Sequence, residues 1–123
     1  MGNLLEAVRE KVEQWRLGPP QEAQEKEYQR TLREAKRFAR CGNTPAVTAF
    51  LCQARRIKPI PQETELPIEI RGHLEAAINA ERYARRYAAS PQDAQKSFSA
   101  VKEHGLIANQ LKLQLKEVKK GKF

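Results

Sequence analysis

Five of the cations in the stretch KEYQRTLREAKRFAR are Lys26, Arg30, Arg33, Arg37 and Arg40, spaced 4, 3, 4 and 3 residues apart. At about 100° per residue, that spacing gathers all five on one side of a helix. Four of them are arginines. A guanidinium meets a phosphate with two parallel donors and holds its water less tightly than an ammonium. The row would be about 21 Å long at 1.5 Å per residue, enough to follow several phosphates. With Tyr28 set at 0°, Leu32, Ala35 and Ala39 fall within about 40° of it, and the five cations between about 120° and 200°. The apolar side can dock into a core while the basic side faces out. A solvated charged face is the alternative. Glu27 and Glu34 lie off the stripe, toward the opposite flank, which leans the reading toward anion binding.

A second basic group stands in ERYARRYAAS, where Arg82, Arg85 and Arg86 share a side with Arg71 and are flanked by Tyr83 and Tyr87. Tyrosine beside arginine suits stacking on unpaired bases. It equally suits a half-buried core ring with a wet hydroxyl. Arg55, Arg56 and Lys58 fall at the end of a predicted helix, where cations complement the helix dipole. Lys112, Lys116, Lys119, Lys120 and Lys122 offer diffuse phosphate contacts, or simply a solvated terminus.

Other chemistry is poorly served. Cys41, Cys52, His73 and His104 include no pair at the close spacing of a structural zinc site, so no metal or cofactor is expected. Cys52 reads as a small core residue, and a Cys41–Cys52 disulfide is not expected. No glycine-rich phosphate loop, nucleophile elbow or paired histidine points to an enzyme. Glu63, Glu65 and Glu69 form an acidic group suited to a basic patch on a second copy or on a partner. Gly2 would fit lipidation, but Glu6 stands where that pattern wants Ser or Thr.

The elements that must position these residues read as helices. The chain has 123 residues, 40% hydrophobic and only 7% aromatic, with six glycines and a formal charge of +8. That fits one all-α domain over 1–118, a compact bundle of five to six short amphipathic helices, with a basic tail over 119–123. The charge is blocky: residues 26–58 hold nine cations and two acids, 59–81 one cation and five acids, and 82–123 ten cations and three acids. Alternating blocks make a symmetric homodimer an expectation. No apolar run reaches the length of a membrane span and no cleavable leader is evident, so an intracellular location, cytoplasmic or nuclear, is expected.

Asn3 would cap a first helix over about 4–17, stopped by Gly18 and two prolines. A second would run over about 20–41 and end at Gly42. Thr44 as cap and Pro45 in the first turn would open a third, about 45–57, with Val47, Phe50, Leu51, Ala54 and Ile57 inward. Pro59, Pro61 and Pro67 mark one long connection. Leu66, Ile68 and Ile70 alternate there, as do Leu111, Leu113 and Leu115. A small two-stranded sheet from 66–70 and 111–115 is therefore the alternative, although Leu, Lys, Gln and Glu prefer helix. A fourth helix over about 68–89 carries the second basic group. Ser90 would cap a fifth over about 91–104, ended or kinked by Gly105, and a last would cover about 106–119.

This pattern predicts a non-enzymatic nucleic-acid-binding protein, RNA weakly favoured over DNA. It would grip backbone phosphates with little sequence discrimination. A matrix-like protein lying on anionic membrane through the same basic face is the alternative, helped by the amphipathic N-terminal stretch. An adaptor for acidic proteins, anchored by Trp15 or Tyr83, is the third.

Overall fold

The computed structural model describes residues 20–121 together with 4, 5, 8 and 9. Four long helices fill the described region: α1 (Pro20–Arg40), α2 (Thr44–Ile57), α3 (Gln62–Arg86) and α4 (Pro91–Lys120). The class is all-α, with fewer and longer helices than the sequence pattern suggests. Residues 4, 5, 8 and 9 are helical, but Trp15, Gly2 and most of the expected first helix lie outside the described residues. No helix among the described residues is long and apolar enough to cross a membrane.

α3 is the middle element. α1 and α2 pack together and dock on one side of it, while α4 returns antiparallel along another side and packs on α3 alone among these helices. The α1 stripe forms as its spacing predicts: Tyr28, Leu32, Ala35 and Ala39 are all buried. They join Val47, Leu51 and Ala54 of α2 and Ile68 of α3 in one core, flanked by Phe38, Phe50, Ile57 and Ile60. Phe38 and Phe50 stack with ring centroids 5.4 Å apart.

The turn between α1 and α2 is fixed by Gly42, whose φ of +75° is the left-handed conformation that favours glycine. Asn43 N–H donates to the Phe38 carbonyl and Gly42 N–H to the Ala39 carbonyl, at 3.0 and 3.1 Å. These two bonds satisfy carbonyls that the end of α1 would otherwise leave open. A side chain at 42 would also collide with α3, since an added Cβ would lie 2.8 Å from Ala76 N. The cap of α2 is Asn43, one residue earlier than expected: its Oδ1 accepts from Ala46 N–H at 3.3 Å.

Two corrections concern α3 and α4. The connection with three prolines shrinks, because α3 begins at Gln62 and runs through Pro67. A proline inside a helix costs roughly 3 kcal/mol. Leu66, Ile68 and Ile70 are all buried, and each such side chain returns about 1.5–3 kcal/mol, so burial wins. Their alternation has a helical cause. In a helix, Leu66 and Ile70 share one side while Ile68 points well away from them. Ile68 joins the core with α1 and α2. Segments 66–70 and 111–115 are both helical, so the two-stranded sheet does not form.

The predicted fifth and last helices are one. α4 passes through Gly105 without a break. A mid-helix glycine costs about 1 kcal/mol relative to alanine, too little to end a helix whose inner side is being covered. Ser90 caps α4 as expected, its Oγ accepting from Asp93 N–H at 3.2 Å. The helix takes in Lys119 and Lys120 of the presumed tail.

Candidate nucleic-acid interface

The five cations of the opening stretch are all exposed, on the side of α1 turned away from its buried stripe. They are not equally available. Arg30 pairs with Glu27 at 2.7 Å and Arg37 with Glu34 at 2.8 Å, each within one helical turn. Glu27 draws Arg30 further toward its charged form. The two acids that lie off the stripe on the helical wheel therefore reach onto it, because long side chains at i and i+3 are surface neighbours. Arg37 also lies over the Phe38 ring, 4.8 Å from its centroid. Lys26, Arg33 and Arg40 have no acidic partner among the described residues, nor has Lys36, which sits beside the row.

Lys36 and Arg40 also line a groove of about 520 Å³ between α1 and α3, with Arg71 on its far wall. The sequence pattern did not show this groove. Lys36 lies about 80° from Tyr28 on the helical wheel, neither inside nor on the basic stripe. Only the docking of α3 beside it gives that flank a role.

The second basic group is set apart from the first. Arg82, Arg85 and Arg86 are exposed in the last two turns of α3, beyond Asn79, whose side-chain amide donates to the Cys41 carbonyl at the α1–α2 turn. Arg82 lies about 16 Å along the helix from Arg71. Arg85 is paired with Glu81 at 2.8 Å and Arg71 with Glu75 at 3.2 Å. Tyr83 and Tyr87 are not half-buried core rings: they are 47% and 68% exposed, with centroids 6.2 Å apart.

Other side chains of interest have internal roles. Arg55 reaches from α2 to α3, where it pairs with Glu65 and lies 3.9 Å from Glu69. The acidic group of the connection is therefore partly spent inside the molecule. Lys58 pairs with Glu25 at 2.6 Å and lies over the Tyr28 ring at 4.4 Å. Gln29 and then Lys58 hold the Glu25 carboxyl below its ordinary value. Cys41 and Cys52 are free thiols and both exposed, so Cys52 is no core residue.

The two histidines, 31 residues apart in sequence, face each other across α3 and α4 with Nδ1 atoms 2.8 Å apart. A signal existed. His73 and His104 stand equally far from the Tyr87–Ser90 turn, and each lies on the apolar stripe of its helix. Burial first, then the neighbouring His104, keeps the His73 imidazole below its ordinary pKa, while Glu69 partly opposes this. Among the described residues, no group of three or more His, Cys, Asp or Glu side chains is placed to hold a metal ion.

Fold and surface together define a basic all-α protein of two helical hairpins, α1–α2 and α3–α4, the first docked on α3 of the second. Comparison with known proteins finds no matching family model, no matching characterised protein and no matching solved structure.

Proposed function

We propose that this chain is a non-enzymatic nucleic-acid-binding protein that grips backbone phosphates with the outer face of α1. The observation that carries this reading is the set Lys26, Arg33, Lys36 and Arg40. All four are exposed on a helix whose opposite side is locked in the core, and none has an acidic partner among the described residues. Cations left unpaired on a rigid support lose little on meeting phosphate, because no internal ion pair must first be broken. RNA is favoured over DNA. Tyr83 and Tyr87 are exposed and follow Arg82 and Arg86 in the chain, a combination suited to unpaired bases.

The test is filter binding of single- and double-stranded RNA and DNA across a salt series, with wild type and an Arg33→Glu/Arg40→Glu double variant. Wild-type affinity should fall steeply with salt. The double variant should lose about 100-fold with its helical circular dichroism unchanged. Undiminished binding by that variant, or a flat salt profile, refutes the reading.

A second reading has one observation of its own. Leu4, Leu5 and Val8 are 77%, 73% and 53% exposed on helical backbone, as in a segment that lies on a lipid surface. Co-sedimentation with anionic vesicles at low salt tests it, and recovery in the supernatant would remove it.

A further inference from the structure

The groove between α1 and α3 differs from the row on α1 in having two walls and a floor. Ala39 and Ile68, 1% and 5% exposed, close its base, and Pro67 adds an exposed apolar ring. The two ends have different chemistry. Ala39 approaches Gly72, which sets Arg40 beside Arg71 at one end. Lys36 and Thr64 mark the other end, since both also line the adjoining depression beside Lys58 and Pro61. From Thr64 to Arg71 is about 10 Å along α3. Arg40 has no acidic partner among the described residues, and Arg71, whose Nε lies 3.2 Å from the Glu75 carboxylate, keeps an exposed side chain that can still meet a ligand.

Among the described residues, three cations line this groove, against the one carboxylate of Glu63. A backbone phosphodiester carries a single negative charge. A terminal phosphomonoester carries about −1.5 to −2 at neutral pH. A groove lined by two arginines from facing helices, with a lysine one turn away, matches the doubly charged group. Each guanidinium can take two oxygens. The apolar floor beside it would carry a sugar or base, and the Thr64 hydroxyl offers a polar stop at the far end.

We propose that this groove is a recognition site for the 5′-phosphorylated end of a nucleic-acid strand. The proposal rests on the nucleic-acid reading above and adds to it a preference that the open row on α1 does not provide. Anchoring at a strand end would give the protein a starting point, from which the chain could follow Arg33 and Lys26 along α1.

The experiment compares two single-stranded RNA oligonucleotides of one sequence, one with a 5′-phosphate and one with a 5′-hydroxyl, by fluorescence anisotropy at fixed salt. Wild type should bind the phosphorylated strand about tenfold more tightly, the scale of one added charge-assisted contact. Arg71→Gln should lower that preference to about twofold or less, weakening the 5′-phosphorylated strand more than the 5′-hydroxyl strand. Arg71 is 59% exposed and lies outside the core, so the variant should fold, and circular dichroism of the variant checks this. Equal wild-type affinity for the two strands overturns this proposal alone, as does a preference that survives Arg71→Gln. Failure of wild type to bind either strand overturns the nucleic-acid reading and this proposal with it.

Discussion

The two hairpins of this molecule are held together differently. Between α1 and α2, sealed by Ile68 of α3, seven apolar helix residues are removed from solvent, and they include Tyr28, Leu32 and Leu51. Between α3 and α4 the seam is thinner. Leu66, Ile70 and Ala84 of α3 are buried, but only Ala108 of the thirty residues of α4 is, and the middle of the seam is a pair of half-buried histidines. Phe98, Leu106 and Leu113 of α4 stay largely exposed. The basic row therefore stands on the part of the molecule with the denser core, and the tyrosines stand on the part with the sparser one. A row of phosphate-binding arginines benefits from a rigid base, because each side chain is then placed before the ligand arrives. Stacking rings tolerate a looser base, since every nucleobase offers a flat face.

Truncations should widen this contrast most. Leu51→Ala removes the largest fully buried side chain among the described residues, and is expected to cost about 3–4 kcal/mol in urea denaturation. Leu111→Ala in α4, where the side chain is half-buried, should cost about half as much. Equal losses would show that the hairpins are equally well packed. Charge reversal gives the next largest difference. Arg82→Glu with Arg86→Glu should weaken RNA binding only about tenfold, against about 100-fold for the pair on α1. A reversed order in filter binding would move the principal site to the hairpin tip.

Between pH 7.5 and 5, above the range of the Glu25 carboxylate, acid should act on the second hairpin. His73 is held below its ordinary value of 6.5, so the unfolded chain takes up the proton first. Stability from the neutral pair is thus complete above about pH 6.5 and is lost as pH falls through the lower value of the folded state. Urea midpoints at pH 7.5 and pH 5 should show the drop in wild type and a smaller one in His73→Phe/His104→Phe. An equal drop in both would assign the acid sensitivity elsewhere. The smallest effect has the opposite sign. Nothing lies within 4 Å of a Cβ built on Gly105, so Gly105→Ala should stabilise α4 by about 0.5–1 kcal/mol. Destabilisation would mean that the helix needs its glycine.

Much of the first hairpin was legible in the sequence, because its residues follow one period. Tyr28, Leu32, Ala35 and Ala39 name a single buried side, and Gly42 names its end. α3 was harder because it is buried on two sides, so Leu66, Ile68 and Ile70 copy the alternation of a strand. Proline and glycine signals also misled where burial outweighed them, at Pro67 and at Gly105. The exposed face of α1 was legible as a stripe, but its internal pairing with Glu27 and Glu34 depended on side-chain reach. The groove walled by Arg71 depended on which helix docks beside α1, and no local pattern encodes that.

The uninterrupted course of α4 has a hydrodynamic consequence. Thirty helical residues make a rod about 45 Å long. A compact chain of 123 residues would have a radius of gyration of about 14 Å, so this rod is longer than such a sphere is comfortably wide. Tumbling in solution should then be anisotropic, slower end over end than about the α4 axis. Amide relaxation along α4 would differ systematically from that of helix segments set at an angle to it.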